Sequence, residues 1–315
     1  MWALLLMTDE QGLKVTYSRK FNTNAMACSR YEYVKNYELD DSILPNVWIV
    51  IRVDGKGFHK FSKVHDFEKP NDVNALNLMN SAAITVMQEF CDITLSYGQS
   101  DEYSFVFRKE TNIFNRRSAK LLSYVTSLFT SAYVYNWKHW FSTKQLEYPP
   151  CFDGRVVLYP SDENLRDYLS WRQADVHINN LYNTAFWNLV LQTGLSNQQA
   201  EAELRGTFSA DKNELLFSRF GINYNKLPAM FRKGTILLRK RVNVPGGNGN
   251  KRQLIIPLYD DMIKDKFWKI HPELLGKYTP GEHEFELNED GIDSVPSLMA
   301  RQFDNLRLQT SKNTE

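Results

Sequence analysis

The chain has 315 residues, enough for one large core or two modest ones, and its 43% hydrophobic and 24% charged composition excludes a disordered or fibrous protein. A net charge of +1 excludes recognition of nucleic acid through global charge, so any such partner must be met by a local basic surface. Three widely spaced cysteines, Cys28, Cys91 and Cys151, form neither a zinc pattern nor a disulfide framework, and no apolar run approaches the roughly 18–20 residues of a membrane span.

In chain order, residues 1–7 are too short and lack the basic flank of a secretory signal. Lys14, Arg19 and Lys20 would suit a mitochondrial presequence, whereas Asp9 and Glu10 count against one. Residues 1–25 read as a disordered extension on a domain that begins at Met26. After a loop over 37–45, the run Trp48-Ile49-Val50-Ile51-Arg52-Val53 reads as a buried strand ending in Asp54-Gly55. A turn bracketed by Gly55 and Gly57 follows, and Asn71 or Asp72 is placed to cap a helix whose inner face is Ala75, Met79, Ala82, Val86 and Phe90. The segment 93–107 reads as a hairpin whose polar tip carries Ser100, Asp101 and Glu102.

A long amphipathic helix is expected over about 115–141, with Leu121, Val125, Phe129 and Tyr133 in its inner stripe. Arg116, Arg117 and Lys120 at its start oppose the helix dipole, which suggests a purpose other than helix stability. A further strand is expected at 155–159 after a second Asp-Gly pair, Asp153-Gly154. Ser161 starts a helix that runs to Leu191, and Ser196 with Gln199 fits a capping box. Residues 209–217 form another helix, 234–242 a basic strand with Arg239, Lys240 and Arg241, and 253–258 its hairpin partner across the glycine-rich loop 245–250. From about residue 282 the chain reads as a polar tail. Trp137, Trp140, Trp171 and Trp187 are expected in the core. This order fits an α+β fold, an antiparallel sheet packed by helices, better than a doubly wound one. The domains are then 1–25, a catalytic domain at 26–160, a helical and hairpin region at 161–281 completing it, and the tail at 282–315.

No glycine-rich phosphate loop is present, so phosphates would be held by metal ions, basic side chains and turn backbone. Asp54 alone could simply begin a turn, and Asp101-Glu102 alone could be the tip of a surface hairpin. Together, at strand ends of one sheet, they suit two divalent ions roughly 3.5–4 Å apart, the arrangement that stabilises both oxygens of an in-line displacement. Asp54 and Asp101 would bridge the ions and the Gly55 carbonyl could complete one shell. Glu102 should face away from Asp101 on a regular strand, which makes it the weaker ligand. The turn Gly55-Lys56-Gly57-Phe58-His59 offers consecutive backbone N–H groups to an anion. His59 is placed either for phosphate or as a plain surface side chain. The polar run around His177 is either a recognition surface or helix–helix hydrogen bonding.

These residues resemble a known family. Arg52-Val53-Asp54-Gly55-Lys56-Gly57-Phe58-His59-Lys60-Phe61, Lys69-Pro70-Asn71-Asp72, Tyr97-Gly98-Gln99-Ser100-Asp101-Glu102-Tyr103-Ser104-Phe105, Ser170-Trp171-Arg172-Gln173-Ala174-Asp175 and His177-Ile178-Asn179-Asn180-Leu181-Tyr182-Asn183-Thr184 are similar to motifs of the tRNA-His guanylyltransferases. The similarity runs from about Met26 to Arg241. It implies a polymerase-like palm holding two Mg²⁺ ions through Asp54, Asp101 and Gly55, with Glu102 in support. It also implies nucleotide contacts from Asp54 through Gly55, Lys56, Gly57, Phe58 and His59, with Ser100 and Asp101, and a second nucleotide near Lys69, Asn71 and Asp72. The implied reaction adds one guanylate to the 5′ end of tRNA-His: ATP adenylylates the 5′-monophosphate, the GTP 3′-hydroxyl displaces AMP, and pyrophosphate is removed. A homotetramer without membrane attachment and a helical tRNA-facing region around His177 are implied as well. The expected compartment is the cytoplasm, with nucleus and mitochondrion as alternatives. The competing readings are a palm-type nucleotidyl cyclase or 5′-end repair polymerase, and a non-catalytic RNA-binding module.

Overall fold

The computed structural model describes residues 5–7, 14–16, 29–243 and 251–276. It divides into two compact units, residues 1–40 and 41–315. In the first unit β1 (Leu5–Met7) pairs antiparallel with β2 (Lys14–Thr16), and a 3₁₀ turn spans Glu32–Tyr37. The rest of the expected extension, the 244–250 loop and the polar tail beyond 276 lie outside the described residues.

The second unit contains, in order, β3 (Trp48–Gly55), α1 (Phe58–Val64), α2 (Val73–Glu89), β4 (Ile93–Gln99), β5 (Glu102–Phe107), α3 (Ser118–Trp140), β6 (Phe152–Tyr159) and α4 (Asp162–Thr193). It continues with α5 (Asn197–Leu204), α6 (Ser209–Phe220), α7 (Ala229–Lys233), β7 (Thr235–Asn243), β8 (Lys251–Leu258) and α8 (Asp265–Ile270). Six strands form one antiparallel sheet in the order β6-β3-β5-β4-β7-β8.

β3 is apolar without alternation because both of its faces are covered. Ile49, Ile51 and Val53 join Tyr103, Phe105 and Phe107 in a core against α2 and α3. Trp48 and Val50 face the other way, into a second core with Val106, Leu95, Leu165, Leu169 and Phe267. Each fully buried large side chain contributes roughly 1.5–3 kcal/mol. α4 is long enough to serve two cores. Its first half packs Leu165, Tyr168 and Leu169 on the sheet, and its second half packs Leu181, Ala185 and Leu189 against Ala200, Leu204 and Leu216. At 32 residues it spans roughly 48 Å.

The caps follow from local chemistry. Asp72 accepts from the Asn74 and Ala75 amides at the start of α2, and Ser196 with Gln199 closes a capping box on α5. Two sequence expectations need correction. β6 begins at Phe152, so Asp153-Gly154 lies inside the strand, and Asp153 pairs with Asp54 across the sheet. The four tryptophans are also not uniformly core: Trp137 is buried, but Trp171 is 55% exposed.

The basic start of α3 has a structural explanation. Arg116 is buried, and its guanidinium donates to the carbonyls of Ile43, Lys109, Thr111, Leu44 and Val47. Arg117 pairs with Asp41 at 3.0 Å. Among the described residues, no helix is long and apolar enough to cross a membrane.

Candidate active site

Asp54 ends β3 where the sheet opens into a cavity of about 770 Å³. The cavity is lined by Asp54, Asp101 and Glu102, by the 67–72 segment, and by α4 through Arg172, Asp175 and Asn179. Two backbone features hold the carboxylates in place. The Gly55 N–H donates to the Asp101 carbonyl at 3.0 Å, tying the end of β3 to the β4–β5 tip. Ser100 adopts a left-handed conformation (φ 47°), a strain that a short tip tolerates when the flanking strands are fixed. Gly55 itself has no substitute, since a Cβ there would lie 2.3 Å from the Phe58 ring.

The carboxylates sit in different electrostatic settings. Burial, followed by the neighbouring Asp54 and Glu102 charges, pushes the Asp101 carboxyl up to about 6, while only its own backbone and Ser100 favour the ionised form. Glu102 is buried, and burial raises it too, but guanidinium groups oppose that: Arg172 Nη1 lies 3.2 Å and Arg52 Nε 3.7 Å from its Oε2. Register places Glu102 directly opposite Asp54, so the two share a sheet face with Arg52. Arg172 also donates to Asp175 at 2.7 Å. Glu102 is thus committed to the arginines, whereas among the described residues neither Asp54 nor Asp101 has an ion-pair partner.

The remaining candidate residues separate into two groups. His59, Ser100, Lys69, Asn71 and Asp72 line the cavity with Asp54 and Asp101; Phe58 lines it too, but its ring belongs to the core. Gly55, Lys56 and Gly57 do not line it. The Lys56 N–H is taken by the Cys151 carbonyl at 2.8 Å and the Gly55 N–H by Asp101, so the expected run of free turn amides begins only at Gly57. Gly57 is left-handed (φ 68°) and caps α1. Lys69 is lowered by burial. It donates to Ser62 at 3.2 Å and lies 5.4 Å from the Trp187 ring centroid. Asn71 donates to Asn180 at 2.9 Å, joining the 67–72 wall to α4. The Asp72 carboxylate accepts from Glu68, Asn74 and Ala75 amides, so it shapes the wall. His177 is exposed and outside the cavity, with its ring against Tyr224.

Arg172 and Arg52 stand within the quoted motifs without an assigned role, and Tyr133 was placed only in the inner stripe of a helix, yet all three belong to the site. Arg52 could have been found two positions before Asp54, on the same strand face. Tyr133 lines the cavity with its ring in the core and its buried hydroxyl without a hydrogen-bond partner, its phenol raised by burial and by the Asp101 and Asp72 charges. Among the described residues, no group of three or more His, Cys, Asp and Glu converges as a self-sufficient metal cage. The donor set instead fits hard divalent cations that share their shell with phosphate oxygens: two carboxylates, one destabilised when charged, lining one cavity with an unsatisfied hydroxyl.

Comparison with known proteins gives relatives of this chain. Residues 31–160 match a family model described as tRNAHis guanylyltransferase, and residues 163–262 match one described as Thg1 C terminal domain. A Drosophila melanogaster protein named probable tRNA(His) guanylyltransferase is 74% identical over 278 residues, 88% of this chain and 93% of that protein. The Schizosaccharomyces pombe tRNA(His) guanylyltransferase is 54% identical over 257 residues, 79% of this chain and 98% of its own. The crystal structure of the Saccharomyces cerevisiae tRNA(His) guanylyltransferase superposes with a TM-score of 0.64 at 46% identity, over 72% of this chain and 96% of that one. A bacterial guanylyltransferase-like protein in complex with ATP shares the fold, with a TM-score of 0.62 at 22% identity over 79% of this chain and 99% of that one.

Proposed function

The chain belongs to the tRNA-His guanylyltransferase family, and from that membership we propose how its own residues carry the reaction. It is a nucleotidyltransferase that acts on the 5′ end of tRNA-His. The observation that supports the residue assignment is the Asp54–Asp101 pair lining the cavity, locked by the Gly55–Asp101 hydrogen bond and with no cation on Asp101.

In this reading the 5′-monophosphate attacks the α-phosphorus of ATP and pyrophosphate leaves. The GTP 3′-hydroxyl then attacks the activated 5′-phosphorus and AMP leaves. Water finally removes pyrophosphate from the added guanosine triphosphate. Asp54, Asp101 and the Gly55 carbonyl are the groups to hold two Mg²⁺ ions, which when bound supply positive charge to the attacking and leaving oxygens. Glu102 holds Arg52 and Arg172 and keeps them from collapsing onto Asp54. His59, Ser100 and the turn amides of Phe58 and His59 face the triphosphate of one nucleotide. Lys69 and Asn71, on the wall that Asp72 shapes, face the second. The Tyr133 hydroxyl offers one hydrogen bond to whatever fills the cavity.

A homotetramer belongs to the same proposal. So does a cytoplasmic location, which the unpaired, exposed thiols of Cys91 and Cys151 support. Incubation with 5′-monophosphorylated tRNA-His, ATP, GTP and Mg²⁺ is expected to lengthen the RNA by one nucleotide at its 5′ end. Asp54→Ala and Asp101→Ala are each expected to abolish that product while binding tRNA nearly as well. Activity on GTP alone with no 5′ product would refute the reading.

A further inference from the structure

Trp171 is an exposed aromatic, beside the active site, that the site itself does not account for. It lies on α4 next to Arg172, which lines the cavity, while Trp171 itself does not. More than half of the indole is open to solvent, at 55% exposure. The Arg172 guanidinium carbon lies 3.5 Å from its ring centroid, so one face is backed by a cation and the other is open. That guanidinium is itself buried and fixed by Glu102 at 3.2 Å and Asp175 at 2.7 Å. Tyr168 braces the indole edge-on at 6.5 Å and in turn packs on Tyr159 of β6 at 5.1 Å. The ring is therefore held by its surroundings rather than free to turn.

β6, linked to the indole through Tyr159 and Tyr168, carries matching chemistry on the same sheet face. β6 is the edge strand, and register puts Asp153, Arg155 and Tyr159 on the same face as Asp54, Arg52 and Trp48. Arg155 is about half exposed, and its ion pair with Asp153 at 3.3 Å joins two exposed side chains, which competes weakly with a phosphate. A held aromatic face and an exposed arginine, both on the sheet face that carries Asp54 and outside the nucleotide cavity, form a stacking platform with a backbone contact.

We propose that Trp171, backed by Arg172, stacks a base at the 5′ end of the RNA substrate, while Arg155 meets the adjoining phosphate. The occupant is polynucleotide rather than ATP or GTP because the indole stands outside the cavity and the arginine lies along the edge leading away from it. This rests on the proposed action at an RNA 5′ end.

The test compares the full-length protein with Trp171→Phe and Trp171→Leu, using 5′-monophosphorylated tRNA-His with and without 2-aminopurine at its first nucleotide. Trp171→Leu is expected to raise the KM for tRNA about 10-fold or more, to leave the KM values for ATP and GTP within about two-fold, and to lose the 2-aminopurine quenching seen with the wild type. Trp171→Phe retains a ring and is expected to restore most of both signals. Leucine and phenylalanine variants that both behave like the wild type would overturn the platform, as would a rise confined to the KM for ATP or GTP. Failure of the wild-type protein to extend the RNA at all would instead remove the function on which the platform rests.

Discussion

At Asp101 a proton, the fold and a cation compete for one carboxylate. Burial and two neighbouring acids lift it to about 6, from an ordinary value of 3.8. Between about pH 4 and 6 the folded protein keeps a proton that the unfolded chain has released, so stability falls as pH rises through that window. Above it, the ionised group costs on the order of 2–3 kcal/mol. Asp101→Asn is therefore expected to be more stable than the wild type in EDTA at pH 7.5, but no more stable at pH 4. It should also lose the wild type's stabilisation by added Mg²⁺. Urea unfolding at the two pH values, with and without metal, measures both effects. Equal stability throughout would contradict the electrostatic account. Glu102 differs from its neighbour because two guanidinium groups already meet it. Adjacent carboxylates in the chain thus take different roles through tertiary partners that no local pattern displays.

At the scale of elements, the cap of α2 separates shaping a wall from touching a ligand. Asp72 is buried and accepts from three backbone amides. Asp72→Ala is expected to cost about 1–2 kcal/mol by losing the cap, and Asp72→Ser to recover much of it. If Asp72→Ser folds like the wild type and keeps its nucleotide KM, the residue acts through the wall alone. Denaturant midpoints beside steady-state KM values decide the matter. Arg116 works similarly for the sheet, since it binds together the loop before β3 and the loop after β5. Lysine cannot reproduce that planar fork, so Arg116→Lys is expected to destabilise by about 2–3 kcal/mol without raising the KM of either nucleotide. The strands β3, β4, β5, β7 and β8, the Asp72 and Ser196 caps and the hairpin tip were legible in the sequence because β-branched apolar runs, capping chemistry and turn residues are local. The start of β6 was not: Asp-Gly reads as a turn, and only pairing with β3 draws Asp153-Gly154 into a strand.

At the scale of the whole molecule, the motifs covered both the carboxylates and the α4 wall, but of the two assigned roles only at the carboxylates. Asp54 and Asp101 carry turn and hairpin signals, whereas Arg172 and Tyr133 sit mid-helix, where helical periodicity marks burial and not what a side chain meets. Trp171 was expected in the core for the same reason. Net charge has a related consequence. At +1 the molecule has no broad positive field, so RNA affinity must come from few, local phosphate contacts. Each such contact releases roughly one counterion, so the slope of log affinity against log salt counts them. Arg155, half exposed on the edge strand β6 and, among the described residues, ion-paired with exposed Asp153 alone, is the contact proposed above. Arg155→Ala is expected to leave thermal stability within about 0.5 kcal/mol, because an exposed pair contributes little. It should lower the magnitude of the salt slope for tRNA binding by about 1, and should weaken binding of unrelated 5′-phosphorylated RNAs to a similar degree, since a phosphate contact carries no base information. Filter binding or anisotropy from low to moderate salt measures this slope. If the slope is unchanged while affinity falls, Arg155 supports the site through structure, and the phosphate path must leave the cavity along another edge.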